Sequence, residues 1–261
     1  MMATNQPSTP TATLLATHAD QYKKATNHLF LASVAHARTT RKTVAAEEGS
    51  VDVRVDDAFA RWLTQDFHFV NAYLKFLSGV LARVPTECGE DSAEALTEGF
   101  LKAIGNISAE ALFFRTAGAP LGITLDYTHA TLHPTTARYL SFLERIVSSA
   151  SWPAALVALW AVERVYLDSW TYASERMPLM NAKELKYAHF VRHWANAEFR
   201  GFVEWLEEIA DAAVVRAFEG GVEMKEKLEA EIDAVFKEVV ELEIAFWDMA
   251  LESASVAKEA A

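Results

Sequence analysis

The sequence is short of the residues that break or staple chains. It has one cysteine, Cys88, so no disulfide can form within it, and a reducing compartment is expected. Only 7 prolines and 10 glycines are spread over 261 residues, too few for a fold of short strands and turns. Basic residues are outnumbered, 24 against 36 acidic, for a net charge of −12. That balance opposes binding to nucleic-acid phosphates or to an anionic membrane surface. No apolar run approaches the ~18 residues expected of a membrane span. The first ten residues are polar, with Thr, Ser and Pro, and lack the charged and apolar regions of a secretory signal. Residues 1–11 therefore read as a disordered tail, and the protein as cytoplasmic. The chain also lacks a P-loop, GxGxxG, HExxH and GxSxG.

What is present is helical periodicity, with half of the residues hydrophobic. It predicts helices over about Thr13–Ala37, Val55–Arg83, a segment N-capped by Ser92 and running to Ala117, Thr135–Ser149, Pro153–Glu175, Ala182–Phe218 and Val222–Ala257. Thr39–Arg54 and Gly118–Pro134 read as connections, and Pro85 and Gly89 as a turn. No stretch reads as strand, so the fold class is all-α: one helical bundle domain over residues 12–258.

Three helices carry a carboxylate on the wrong face. Phe59, Trp62, Leu63, Val70, Tyr73, Leu74 and Leu77 form one apolar stripe, and Asp66 falls inside it. Glu163 interrupts the stripe of Leu156, Leu159, Trp160, Tyr166, Leu167 and Trp170. Glu243 does the same among Phe236, Val239, Val240, Phe246, Trp247 and Ala250. A buried carboxylate is costly unless hydrogen-bonded or paired. Any one of them could pair with a buried Arg or reach solvent at the rim of its stripe. Three on three helices point instead to a polar cavity inside the bundle. Glu110, near Ile107, Phe113 and Phe114, is a further candidate. Tyr139 lies on an apolar face, and its hydroxyl needs a partner, in the cavity or on a backbone carbonyl. Phe69, Trp160, Tyr166, Trp170, Phe199 and Trp247 are available to stack a planar ring or simply to fill the core.

Inward carboxylates in a bundle also raise a di-metal oxidase. That class needs Glu-x-x-His pairs, whereas Glu163 is followed by Tyr166 and Glu243 by Phe246. Only His68 and His193 are available as substitutes, so no metal and no cofactor is expected. Cys88 has no activating neighbours in sequence.

The same positions carry a resemblance. Arg61-Trp-Leu-Thr-Gln-Asp66-Phe-His-Phe-Val70 resembles the W-L-x-Q-D-Y helix of the TenA/THI-4 family. Thr26-Asn-His28-Leu-Phe30 is similar to its H-P-F element, with Leu29 for Pro. Leu159-Trp-Ala-Val-Glu163-Arg-Val-Tyr166 and Trp194-Ala-Asn196-Ala-Glu-Phe199 resemble segments of its plant seed-maturation branch. Glu243-Ile-Ala-Phe246-Trp-Asp-Met249-Ala250 resembles its closing E-x-x-F-W-x-M. The likeness runs from about His18 to Ala250.

It implies a heme-oxygenase-like bundle without heme, a homo-oligomer (dimer or tetramer), and aminopyrimidine aminohydrolase (thiaminase II) chemistry in thiamin salvage. Asp66 then holds the pyrimidine ring and its amino group, staying ionised in a more polar setting. Glu243 shuttles protons to the leaving amine, and Tyr139 is a substrate-site tyrosine. Phe69, Glu110 and Tyr166 complete the substrate-binding set. Relatives with a cysteine nucleophile carry it at or beside Val162, so this chain resembles the branch without it. Glu163 becomes the base for water or a contact to the amine. Phe69 replaces a tyrosine, removing one hydrogen bond to the ring. Hydrolysis of a formylaminopyrimidine becomes as reasonable as hydrolysis of the aminopyrimidine. A non-catalytic pyrimidine-binding protein is the remaining alternative.

Overall fold

The computed structural model describes residues 8–39, 55–125, 131–178 and 184–252. Ten α-helices account for most of them: α1 (Pro10–Thr17), α2 (Ala19–Thr26), α3 (Leu29–His36), α4 (Val55–Glu87), α5 (Glu90–Gly118), α6 (Pro134–Ser149), α7 (Trp152–Arg176), α8 (Ala188–Trp194), α9 (Ala197–Phe218) and α10 (Val222–Leu251). A 3₁₀ turn, Ala119–Leu121, follows α5. Among the described residues there is no strand, only an isolated bridge between Arg38 and Leu185. The all-helical, single-domain expectation holds.

The long helices form where apolar stripes were read. Helix α7 is buried on nearly every side, because its residues are apolar almost all round. It packs against α2, α3, α8, α9 and α10, while α4 packs against α5, α6 and α10. The short link Cys88–Gly89 folds α5 back along α4. An indole and phenyl cluster lies where these helices meet: the Trp62 ring sits 5.1–6.0 Å from those of Phe30, Phe59, Trp170, Trp194 and Trp247.

Helix ends differ from expectation in informative ways. The expected first helix is three, broken at His18 and again at Asn27–His28. The His28 ring accepts from the Phe30 N–H, capping α3. The expected Ala182–Phe218 helix breaks at Ala195–Asn196, where Asn196 Oδ1 accepts from the Phe199 N–H at 2.8 Å and caps α9; residue 182 lies outside the described residues. Helix α4 does not stop before Pro85. It continues to Glu87, because Val80 and Val84 are fully buried and extend its stripe past the proline. The lost donor weakens one turn, and the ladder resumes with Cys88 N–H to the Val84 carbonyl at 3.1 Å. Gly89, not Ser92, is the N-cap of α5. Helix α1 starts at Pro10, inside the stretch read as a tail, and Thr11 is buried with its N–H and hydroxyl on Asp211, both at 2.9 Å. Residues 1–7, most of the 39–54 connection, 126–130 and the end of the last predicted helix lie outside the described residues.

Candidate active site

Helical spacing builds the site. On α4, Asp66, Phe69, Val70 and Tyr73 stand at i, i+3, i+4 and i+7 and share one face; on α10, Glu243, Phe246 and Trp247 do the same. Val162, Glu163 and Tyr166 come from α7, Tyr139 from α6, Glu110 and Phe113 from α5, His193 and Trp194 from α8, and Phe199 and Phe202 from α9. Together they line one cavity of about 440 Å³. The side chain of Gln65 sets the register between α4 and α6. Its Oε1 accepts from the His133 N–H at 3.0 Å and the Thr136 hydroxyl at 2.8 Å, and its Nε2 donates to the Thr131 carbonyl at 2.9 Å. Tyr139 follows within one turn of Thr136.

Asp66, Glu163 and Glu243 are 4%, 7% and 4% exposed, and all three face the cavity. Tyr166 donates to Asp66 at 3.1 Å, and Tyr139 donates to Glu243 Oε1 at 2.5 Å. Burial pushes Glu243 up to about 8, partly offset by the Tyr139 hydrogen bond and reinforced by the charge of Glu163. Burial likewise pushes Glu163 up to about 7, offset by Tyr73 and reinforced by Glu110.

Asp66 departs from expectation. Burial raises its pKa well above the usual carboxylate value; one tyrosine hydrogen bond lowers it, and Glu243, Glu110 and Glu163 raise it further. Its setting is thus not the more polar one, and a cationic or N–H-donating ligand would favour its ionised form.

The structure brings together all seven residues singled out from the sequence: Asp66, Phe69, Glu110, Tyr139, Glu163, Tyr166 and Glu243. The partner of Tyr139 is a carboxylate rather than a backbone carbonyl. Glu110 is pinned by the Trp194 indole N–H and by His193 Nε2 at 2.7 Å, and the His193 ring stacks on Phe113 with centroids 3.7 Å apart. Trp247 and Phe199 reach the cavity, whereas Trp160 and Trp170 belong to the core around it. Val162 stands in the wall beside Glu163, and Cys88 lies outside the lining. Among the described residues five carboxylates and no Lys or Arg line the space. Among the described residues no three His, Cys, Asp or Glu side chains gather as metal ligands.

Sequence reasoning missed Gln65, Tyr73 and Asn196 as site-building residues. Gln65 carried a signal, a polar residue next to Asp66 in a stripe-bearing helix. Tyr73 reads in the sequence only as part of an apolar stripe, and nothing there distinguishes it from a core ring.

Fold and site thus define an all-helical protein with a carboxylate-lined, aromatic-walled cavity at its centre. The pattern of the TENA/THI-4/PQQC family matches residues 54–253, and the chain belongs to that family, with its heme-oxygenase-like helical fold. It is 27% identical over 242 residues, 92% of each chain, to a probable bifunctional TENA-E protein of Glycine max. A TenA homologue from Pyrococcus furiosus superposes with a TM-score of 0.71 at 24% identity, over 92% of this chain and 99% of that one. A TenA family transcription regulator from Silicibacter gives 0.73 at 15%, over 94% and 97%. Among the described residues no helix is long and apolar enough to cross a membrane.

Proposed function

We propose that the protein hydrolyses aminopyrimidine or formylaminopyrimidine breakdown products of thiamin, as an aminohydrolase of the thiaminase II type. The observation that carries this reading is the convergence of Asp66, Glu163 and Glu243 on one cavity, with no Lys or Arg among its described lining residues. Such a lining favours a planar ligand that is cationic or rich in N–H donors. The aromatic walls of Phe69, Tyr166, Phe199 and Trp247 suit a heterocycle.

In this reading Asp66 ionises against the ring and its amino group. Protonated Glu243 gives its proton to the exocyclic amine as the carbon–nitrogen bond breaks. Glu163 takes a proton from water, whose oxygen forms the new bond to carbon. The products are the hydroxymethylpyrimidine and ammonia. With a formylated amine, water adds instead to the formyl carbon and the amide bond breaks, leaving formate and the aminopyrimidine. Both need one carboxylic acid and one carboxylate at the same pH, which the pKa values of Glu243 and Glu163 supply. A net charge of −12 supports a small-molecule role over a DNA-binding one.

The purified protein, incubated with the aminomethylpyrimidine and with its formyl derivative, is expected to release ammonia from the first and formate from the second. Folded protein at high concentration that turns over neither overturns the reading. Glu243→Gln separates an enzyme from a pyrimidine-binding protein: it abolishes turnover in the first case and changes only affinity in the second.

A further inference from the structure

Asp66, Glu163 and Glu243 differ in how their neighbouring tyrosines treat them. Tyr139 closes on Glu243 and Tyr166 closes on Asp66, each with a full hydrogen bond. Tyr73 does not close on Glu163. It stands one helical turn beyond Phe69 on α4, lines the cavity, is 2% exposed, and is held between the rings of Phe69 at 5.5 Å and Phe76 at 5.6 Å. Its buried hydroxyl has no hydrogen-bond partner. A buried polar group without a partner is rare in folded proteins and marks a place where a ligand or water completes the bonding. Glu163 is the carboxylate it approaches: the contact lowers the proton affinity of Glu163 and raises that of Tyr73, but it does not reach the geometry of a full hydrogen bond. Two open polar groups, both buried and both facing one cavity, provide the partners a bound water needs.

We infer that Tyr73 and Glu163 together hold the nucleophilic water, making Tyr73 a catalytic residue of the reaction. The Tyr73 hydroxyl donates to the water's oxygen, and one water O–H points at Glu163. The free lone pair faces the reacting carbon. As the oxygen–carbon bond forms, Glu163 takes the proton. The electron pair of the breaking carbon–nitrogen bond stays on nitrogen, which Glu243 protonates. The hydroxyl missing at Phe69 is thereby not simply lost. A tyrosine hydroxyl enters the cavity at Tyr73, one turn further on, aimed at the nucleophile rather than at the ring. This assignment rests on the hydrolase reading above.

Tyr73→Phe tests it, because it removes one oxygen and keeps both ring stacks. The variant is expected to melt close to wild type, since the deleted hydroxyl makes no full hydrogen bond in the free protein. Its kcat falls by about tenfold to a hundredfold with KM little changed. The acid limb of its pH profile moves to higher pH, because the hydroxyl favours ionised Glu163.

A binding measurement makes the test independent of turnover. The hydroxymethylpyrimidine product places its own oxygen where the water sits, so calorimetry should show Tyr73→Phe binding it about tenfold more weakly. The analogue with a methyl group in place of the hydroxymethyl group should bind both proteins equally. An equal loss for both ligands makes Tyr73 a structural residue and overturns the inference. So does an unchanged kcat with an unmoved acid limb. If wild type binds both pyrimidines but hydrolyses neither substrate, the hydrolase reading fails while the oxygen site is still judged by the binding difference. Wild type that binds neither pyrimidine removes both proposals.

Discussion

Glu163 and Glu243 face the same cavity, yet the structure gives them different proton affinities, about 7 and about 8. The difference has a local cause. Each is lifted by burial, lowered by one tyrosine and raised by one neighbouring carboxylate, Tyr73 and Glu110 for Glu163 and Tyr139 and Glu163 for Glu243. If Glu163 acts ionised and Glu243 protonated, activity rises as pH climbs through about 7 and falls as it climbs through about 8. A bell-shaped kcat/KM profile with a narrow maximum between those limbs is expected from steady-state assays of the free enzyme. A profile flat from pH 6 to pH 9 removes this division of roles.

The same burial has a stability consequence of definite sign. The pKa of Glu243 is raised in the folded state, so its contribution to stability is fully present below the ordinary carboxylate range and lost as pH rises through about 8. Glu243→Gln keeps an acceptor for the Tyr139 hydroxyl and removes the ionisation. It should match wild type near pH 5 and exceed it by roughly 1–3 kcal/mol above pH 8, measured by urea unfolding at both pH values. The inward placement of this residue was legible in the sequence, since a lone Glu among Phe236, Val239, Val240, Phe246 and Trp247 has few places to go. The ionisation of Asp66 was not, because it depends first on how completely the assembled helices bury it, and then on Tyr166 and on three other carboxylates brought in from α5, α7 and α10.

Among the elements, α4, α7 and α10 were readable because each repeats its apolar pattern over many turns. The breaks between α2 and α3 and between α8 and α9 were not, because the apolar pattern continues across them and only a single side chain makes the stop. Asn196 is the clearer case. Its Oδ1 caps α9 and its Nδ2 donates to the His193 carbonyl at 2.5 Å, so one residue turns the chain between the two helices at the cavity wall. Replacing it with Ala leaves the first N–H groups of α9 without that acceptor, at a cost of about 1 kcal/mol. Thermal unfolding of Asn196→Ala should show a Tm about 2–4 °C below wild type, with Asn196→Ser, which can still cap, falling less. Equal losses for Ala and Ser place the effect in the His193 contact instead. Pro85 teaches the converse: a residue that normally ends a helix was overridden by the burial of Val84 beyond its expected end.

Helices α4 to α10 all contribute to the cavity, while α1, α2 and α3 stand outside its lining, so a ligand there touches most of the fold at once. Ligand binding should therefore appear as global stabilisation rather than local ordering. At a hundredfold excess over Kd, binding to the folded state alone adds about 2.7 kcal/mol. For a chain of this size that is a rise of about 5–10 °C in Tm. The sign of the ligand's charge decides whether the rise occurs. With five carboxylates and no Lys or Arg among the described lining residues, a pyrimidine bearing an aminomethyl group gains attraction as it loses water, and a pyrimidine bearing a carboxylate gains only repulsion. Differential scanning fluorimetry with the two compounds at equal concentration should show a shift for the amine and none for the acid. A comparable shift with the acid would mean that the buried carboxylates accept it fully protonated. In that case raising the pH from 6 to 9 should erase the shift for the acid.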